Sequence, residues 1–164
     1  MNDITLPVAE GYFICRVGAI IIDDDKLLMV KNDSVDYYYT VGGRIQFSET
    51  TEAAVVREVY EETNIRMLVE RLAFIHENFF NESFLDEGLV EKPFHELAFY
   101  YLMKPPNRLN EILCRSYSIS GEPERLHWLP IAELGNYKLY PEFLKTQLPL
   151  RDDTPRHFIT NQGS

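Results

Sequence analysis

Apolar runs separated by short polar breaks predict strands in the first quarter of the chain. Residues 12–22 are rich in valine, isoleucine and aromatic residues and end in three consecutive aspartates, a pattern typical of a strand followed by a turn. The apolar pattern resumes over residues 26–30, so the two segments predict a hairpin. Residues 37–41 predict a third short strand that stops at Gly42 and Gly43.

The pattern then changes to that of a helix. Residues 48–63 contain alanine, glutamate and arginine without glycine or proline, and Ser48 can serve as the N-cap. Asn64 is a suitable residue to end the helix, because asparagine tolerates a left-handed backbone. At about 100° per residue, one arc is apolar and another is acidic. The apolar arc carries Val55, Val56, Val59 and Tyr60, and the acidic arc carries Glu58, Glu61 and Glu62.

Two longer strands are predicted after the helix, over residues 65–80 and 94–103. The polar, acidic loop between them, residues 81–93, is a candidate substrate loop or lid. The remaining predicted elements are a short strand at 125–129, a helical turn at 131–134 and a helix over 141–148. Together these elements predict an α+β or α/β domain with a mixed sheet and about two principal helices.

The polar residues 151–164 predict a mobile tail, so we expect a single domain over residues 1–150. With 45% hydrophobic residues, 164 residues suffice for one buried core. Cys15 and Cys114 have no partner at metal-site spacing, and the first ten residues carry no secretory signal. We therefore expect a cytoplasmic protein with reduced thiols.

The charge of the chain excludes several kinds of partner. The formal net charge is −10 and the pI is near 4.8, which argues against binding duplex nucleic acid, because such binding depends on lysine and arginine. The longest apolar segment, residues 17–22, is far shorter than the roughly 20 residues of a membrane helix, so we expect no membrane partner. A phosphorylated small molecule remains a suitable partner if divalent cations or placed basic groups offset the repulsion.

The spacing of glycine and charged residues around the predicted helix carries the chemical signal. Gly43 is followed after five residues by Glu49, and after seven more by Arg57 and Glu58. Glu61 and Glu62 then complete the pattern. From average residue frequencies, such a set coincides by chance about once in 10⁸ starting points, so a merely solvated acidic face is a poor explanation.

These residues resemble the Nudix box, whose pattern is Gly, x5, Glu, x7, Arg, Glu, apolar, x, Glu, Glu, x, Gly, apolar. The chain matches each position except the second glycine, where Asn64 stands. The resemblance covers about residues 12–148, including the hairpin, the glycine pair and Trp128 before a helical turn, but only residues 42–65 are specific. It implies the Nudix fold, a mixed sheet flanked by helices in an α/β/α sandwich.

The activity that the resemblance implies is Mg²⁺-dependent hydrolysis of a phosphoanhydride bond in a nucleoside diphosphate derivative or related small polyphosphate, with Mn²⁺ as an alternative cation. Oxygen-rich carboxylate sites suit such hard cations. The implied metal ligands are Glu61 and Glu62, together with a carbonyl of Gly42 or Gly43. Glu58 shares a second ion or acts as the general base, and which glutamate is the base stays open.

Further roles are implied for residues in and around the box. Arg57 orients Glu58 or Glu49 by ion pairing, and Glu49 closes the geometry between loop and helix or stabilises the helix dipole. Relatives in the family often use one more acid, for which Glu122 and Glu124 are candidates, with Glu96 and Glu77 behind them. Arg44 is a candidate to bind substrate phosphate, and Tyr39 to stack against a base.

Two other functions stay open from the sequence. A Nudix-fold protein without catalytic activity could sense a nucleotide or sugar phosphate, although such proteins tend to lose the acids that this chain retains. An enzyme could also use the same cation site for another reaction, such as isomerisation of a prenyl diphosphate. The box does not identify the substrate, and a homodimer is an open expectation because relatives are often dimers.

Overall fold

The computed structural model describes residues 3–84, 90–106, 109 and 123–162, which form two β-sheets and three helical segments. The elements in chain order are β1 (Thr5–Pro7), β2 (Tyr12–Ile20), β3 (Ile22–Asp23), β4 (Lys26–Lys31), β5 (Tyr38–Thr40), β6 (Gly42–Arg44), α1 (Thr51–Thr63), β7 (Leu68–Phe84), β8 (Val90–Lys104), β9 (Arg125–Pro130), a 3₁₀ helix (Ile131–Asn136), β10 (Leu139–Tyr140), α2 (Leu144–Gln147) and β11 (Arg156–Asn161).

The two sheets both contain parallel and antiparallel pairs, as the prediction of a mixed sheet requires. The first has the strand order β1-β2-β8-β7-β11, with β6 added to β2. In it β7 and β8 form a long antiparallel hairpin, while β2 pairs with β8 and β11 with β7 in parallel. The second sheet has the order β10-β5-β4-β3, with β9 added to β4.

Two hydrophobic cores are separated by the alternation of side chains along the central strands. On β2, Val17 and Ala19 pack in the core that contains Val55 and Val59 of α1. Ile20 packs in the other core, which is covered by the 3₁₀ helix and α2. Because successive side chains of a strand point to opposite faces, one strand supplies both cores. This arrangement agrees with the predicted Nudix fold and places helices on both sides of the sheets.

The central helix starts two or three residues later than predicted. Thr50 is the N-cap of α1, and its side-chain oxygen accepts a hydrogen bond from the Ala53 N–H at 3.1 Å. Ser48 instead has a positive φ of 68°, a turn conformation unsuited to an N-cap. The predicted end of the helix is confirmed, because Asn64 is left-handed with φ 58° and its N–H binds the Tyr60 carbonyl at 2.8 Å.

The predicted loop at residues 81–93 is wrong at both ends, because β7 continues to Phe84 and β8 begins at Val90. Residues 85–89 of that candidate lid lie outside the described residues. The closing helix is also shorter than predicted and comprises only Leu144–Gln147. Among the described residues, no helix has the length and apolar character needed to span a membrane.

The expectation of a mobile tail is wrong for residues 156–161, which form β11. Phe158 stacks on Phe143 with 4.4 Å between ring centroids, and Thr160 Oγ1 hydrogen-bonds His76 Nε2 at 2.9 Å. Phe158 is partly buried against the second core, whereas Ile159 is exposed. The six residues therefore alternate as an edge strand should, a period of two that the polar composition of the segment obscures.

Candidate active site

The glycine pair at Gly42 and Gly43 brings backbone against the helix α1. Gly42 has φ 150°, and a Cβ there would lie 2.2 Å from the carbonyl oxygen of Val17. A Cβ at Gly43 would lie 2.5 Å from the carboxyl carbon of Glu58. Only glycine therefore allows this close approach without displacing backbone or the Glu58 carboxylate.

Glu62 is buried beneath this backbone, with 6% of its surface exposed. Its Oε1 accepts a hydrogen bond from the Gly42 N–H at 2.9 Å, while its buried Oε2 has no hydrogen-bond partner among the described residues. Burial raises the pKa of Glu62 well above its usual range, and although the Gly42 bond opposes the rise, the Glu124 and Glu58 carboxylates add to it. A cation bound at Oε2 would offset the free-energy cost of burying the ionised carboxylate.

Arg57 ties the helix to the loop that precedes it. Its Nε and Nη2 donate to the two carboxylate oxygens of Glu49 at 2.8 and 2.9 Å, and Nη2 also donates to the Arg44 carbonyl at 3.1 Å. Nη1 donates to Glu58 Oε1 at 2.6 Å. The hydrogen bond from Arg57 lowers the pKa of Glu49, which therefore stays ionised. The two alternatives for Arg57, pairing with Glu49 or with Glu58, are thus both realised.

The other two box acids differ in their exposure. The Glu58 side chain is largely buried, and burial raises its pKa although Arg57 opposes the rise. The Glu61 side chain is 55% exposed, and its Oε2 lies 3.4 Å from Arg57 Nη1. The acidic arc of the helix therefore runs from the solvent at Glu61 to the interior at Glu62.

The Glu124 carboxylate contributes to the raised pKa of Glu62. Its Oε1 accepts a 2.7 Å hydrogen bond from the hydroxyl of Tyr39, which is therefore engaged by protein. The other candidate acid, Glu122, lies outside the described residues. Glu96 is buried with Arg16 3.7 Å away, and Glu77 lies 2.8 Å from His157, so both already have basic neighbours.

A basic residue that the sequence analysis missed borders this site. Arg16 on β2 is directly opposite Arg44 on β6, so both side chains start from the same face of the sheet. Burial lowers the pKa of Arg16, but the carboxylates of Glu96, Glu58 and Glu62 outweigh it and raise the pKa overall. The sequence does contain an indication of this role, since Arg16 is the only charged residue in the strand sequence YFICRVGAI.

The chemistry of the donors fits a hard divalent cation. The carboxylates are oxygen ligands, Glu58 and Glu62 have raised pKa values, and one buried oxygen of Glu62 has no partner in the described part of the molecule. Within the described ranges, no three acidic, histidine or cysteine side chains already surround one point at metal-binding distance. Arg57 lies between Glu58 and Glu61, so those two carboxylates would have to turn toward a bound ion.

The family model of the NUDIX domain matches residues 14–150, which is most of the chain. The chain belongs to the Nudix family. Nudix hydrolases generally use divalent metal ions and act on small nucleotide substrates. The match includes both sheets' central strands, α1 and the glycine pair, so the site described above lies within the Nudix domain.

One curated relative of this Nudix chain is a MutT-like protein from Streptomyces ambofaciens, 34% identical over 61 residues. The alignment covers 37% of this chain and 40% of that protein, so the match spans about two fifths of the relative.

Solved structures share the Nudix fold over most of the chain. The mutator MutT protein from Bacillus halodurans has a TM-score of 0.61 at 19% identity, with 91% of both chains covered. An ADP-ribose pyrophosphatase from Streptococcus suis has a TM-score of 0.56 at 16% identity, covering 88% of this chain and 98% of that one. A UDP-X diphosphatase has a TM-score of 0.54 at 19% identity, covering 89% and 66%. At these identities the likeness shows the fold.

Proposed function

We propose that the protein hydrolyses a phosphoanhydride bond in a nucleoside diphosphate derivative or related small polyphosphate, using Mg²⁺ or alternatively Mn²⁺. The observation that carries this proposal is the environment of Glu62. One of its oxygens is fixed by the Gly42 N–H, and the other is buried with no partner in the part of the chain that the structure describes. Such a group is costly in a purely structural role, whereas it suits a carboxylate that binds a cation.

The proposed metal ligands are Glu58, Glu61 and Glu62, with a carbonyl oxygen of Gly42 or Gly43. A divalent cation held there would neutralise phosphate oxygens and lower the pKa of a bound water. Arg57 and Glu49 keep α1 in register with the glycine pair through their bidentate ion pair. These contacts support a helix that is held in place before a substrate binds, while the carboxylates of Glu58 and Glu61 would turn toward the ion.

Glu58 is suited to two roles within this proposal. Its carboxylate packs directly on Gly43, and burial raises its pKa toward the range useful in proton transfer. It could therefore accept a proton from the attacking water or share an ion, and either role requires it to leave Arg57 Nη1. The same reaction adds the oxygen of water to phosphorus and releases the other phosphate as the leaving group.

The chain as a whole is acidic and would repel substrate phosphates. Basic side chains at the site would offset this repulsion, and two arginines are suited to this role. Arg44 and Arg16 start from the same face of neighbouring strands, and Arg16 lies within the electrostatic influence of Glu58 and Glu62. We propose that this pair binds a phosphate that the cation does not neutralise. The names of two structural neighbours, an ADP-ribose pyrophosphatase and a UDP-X diphosphatase, support including sugar-linked nucleoside diphosphates among the candidates.

The direct experiment is a screen for release of phosphate, pyrophosphate or nucleoside monophosphate with Mg²⁺ and with Mn²⁺. The compounds are nucleoside triphosphates, nucleotide sugars, ADP-ribose and dinucleoside polyphosphates. Glu61→Gln and Glu62→Gln should each lose most of the activity, whereas Glu52→Gln, an exposed acid on the same helix, should retain it. Tight nucleotide binding without any turnover would favour the sensor function instead.

A further inference from the structure

Three neighbouring strands bring together the side chains of Asn32, Tyr39 and Glu124. Tyr39 lies on β5, Asn32 directly follows β4, and Glu124 directly precedes β9. Because β4 pairs with both β5 and β9, the three residues stand at the same end of the second sheet. They are far apart in sequence but adjacent through the backbone hydrogen bonds of the sheet.

The hydrogen bonds among them have a defined direction. The Tyr39 hydroxyl donates to Glu124 Oε1 at 2.7 Å and accepts from Asn32 Nδ2 at 3.2 Å. The orientation of the Asn32 amide follows from its other contact, because Oδ1 accepts from the Ser34 N–H at 3.0 Å and a backbone N–H can only donate. The single proton of the Tyr39 hydroxyl is therefore directed to Glu124.

Burial restricts the movement of the side chains that form these hydrogen bonds. Asn32 is 5% exposed, and the Tyr39 ring packs partly buried against the core that contains α1. Burial, together with the neighbouring Glu124 carboxylate, raises the pKa of Tyr39, so its hydroxyl remains a proton donor. A solvent-exposed ion pair also joins the same segments, because the Arg125 guanidinium binds both carboxylate oxygens of Asp33 at 3.0 and 2.9 Å. A buried network whose groups are paired resists rearrangement.

The Glu124 carboxylate is held on the side of the second sheet that faces α1. Tyr39, which binds it, pairs with Val30 across β5 and β4, and both side chains pack in the core that contains α1. Gly42, three residues after Tyr39, donates its N–H to Glu62 Oε1 at 2.9 Å. Burial raises the pKa of Glu62, and the Glu124 carboxylate contributes to the rise. Neighbouring carboxylates repel each other when both are ionised, and this repulsion favours movement of Glu124 toward solvent. The Tyr39 hydroxyl binds one of its oxygens and opposes that movement.

We propose that Tyr39 and Asn32 are positioning residues that hold Glu124 beside Glu62, where Glu124 adds a carboxylate to the divalent-cation site. This inference rests on the proposed function. It assigns Tyr39 a role that differs from stacking against a substrate base, because the hydroxyl acts through Glu124 and needs no contact with substrate. It also explains why an asparagine is buried at the end of β4, since its amide orients the tyrosine hydroxyl.

The test measures Mn²⁺ binding to the full-length protein without substrate, by electron paramagnetic resonance of free Mn²⁺. Tyr39→Phe removes only the hydroxyl, and we expect it to weaken binding of one ion about ten-fold, as is usual when a group that orients a ligand is lost. Glu124→Gln should weaken it at least as much. The double variant should bind no more weakly than Glu124→Gln alone, because Tyr39 acts through Glu124.

Tyr38→Phe is the matched control, since the neighbouring Tyr38 ring packs edge-on against His127 and Tyr137 and lies against the other core, which does not contain α1. It should bind Mn²⁺ as the wild type does. If Tyr39→Phe does not fold, as judged by its thermal transition, Asn32→Ser tests the same connection and should weaken Mn²⁺ binding several-fold.

Equal Mn²⁺ affinity in Tyr39→Phe and Tyr38→Phe would overturn the inference, as would additive losses in the double variant. Failure of the proposed function would look different. In that case Glu62→Gln would leave Mn²⁺ binding unchanged and no compound would be hydrolysed. If Glu62→Gln loses Mn²⁺ binding while Tyr39→Phe keeps it, only the positioning role is wrong.

Discussion

Glu62 carries a carboxylate into a part of the protein where water does not solvate it. On a helical wheel this residue lies about 20° from Val55, which is fully buried, so it adjoins the apolar arc of α1 as well as the acidic one. The opposite edge of the apolar arc behaves differently, because Tyr60 is exposed and the Arg66 guanidinium lies over its ring. Tyr60 therefore belongs to the apolar arc by its position in sequence but is not buried with the valines.

Burying the ionised Glu62 carboxylate lowers the free energy of unfolding, so replacing it should change the stability of the protein. In metal-free protein Glu62→Gln should increase the free energy of unfolding by about 1–2 kcal/mol at pH 8, because it removes a desolvated charge and Oε1 can still accept from Gly42. A raised folded-state pKa means that Glu62 favours folding at low pH and costs stability as pH rises, so the increase should shrink at pH 5.

Urea unfolding in the presence of a chelator, with Glu52→Gln as the control, measures this difference. A Glu62→Gln variant that is less stable than wild type at pH 8 would contradict the account.

The two glycines of the site predict opposite consequences of adding a methyl group. Gly42→Ala places Cβ against the Val17 carbonyl at a φ of 150°, so the backbone itself must move and the free energy of unfolding should fall by about 2–3 kcal/mol. Gly43→Ala places Cβ nearest to the carboxylate of Glu58, a side-chain end rather than backbone, so stability should fall less than in Gly42→Ala while hydrolysis falls at least ten-fold, on the order of one lost catalytic contact.

Paired urea unfolding and activity measurements separate the two effects of these alanine substitutions. Full activity in Gly43→Ala would show that hydrolysis does not depend on the observed position of the Glu58 carboxylate.

At the scale of elements, the helix and the strands were predictable where a pattern is local and strong. The acids and valines of α1, and its left-handed end at Asn64, follow from helical periodicity. The start of the helix does not, because Ser48 and Thr50 are both suitable caps. The turn in which the Gln46 N–H binds Glu49 Oε2 decides between them.

The last strand, β11, was missed because its apolar residues are few and its neighbours are polar. Phe158 faces the core while Ile159 faces solvent. Phe158→Ala should therefore reduce the free energy of unfolding by about 2–3 kcal/mol through the loss of contacts with Phe74 and Phe143. Ile159→Ala, its neighbour in sequence, should stay within about 0.5 kcal/mol of wild type.

Thermal or urea unfolding of the two β11 variants measures this contrast. Similar losses in both would mean that β11 is not docked in this register.

At the scale of the whole molecule, the site lies where the two sheets meet around α1. The glycine pair belongs to the first sheet, whereas Tyr39 and Glu124 belong to or flank the second. The box residues were predictable because they lie within one short segment. The roles of Arg16 and Asn32 were not, because strand pairing between distant parts of the chain decides their neighbours. The homodimer, the cytoplasmic location and the single domain over residues 1–150 stay predictions.

Hydrolysis is proposed to require a cation that the acids of α1 hold. The most direct test of this requirement is the rate of phosphoanhydride cleavage as a function of Mg²⁺ concentration, for the wild type, Glu62→Gln and Glu52→Gln on the best substrate from the screen. The account predicts saturable activation by Mg²⁺, a loss of at least about 100-fold in Glu62→Gln and no change in Glu52→Gln. Wild-type rates in Glu62→Gln, or cleavage that is independent of any divalent cation, would contradict it.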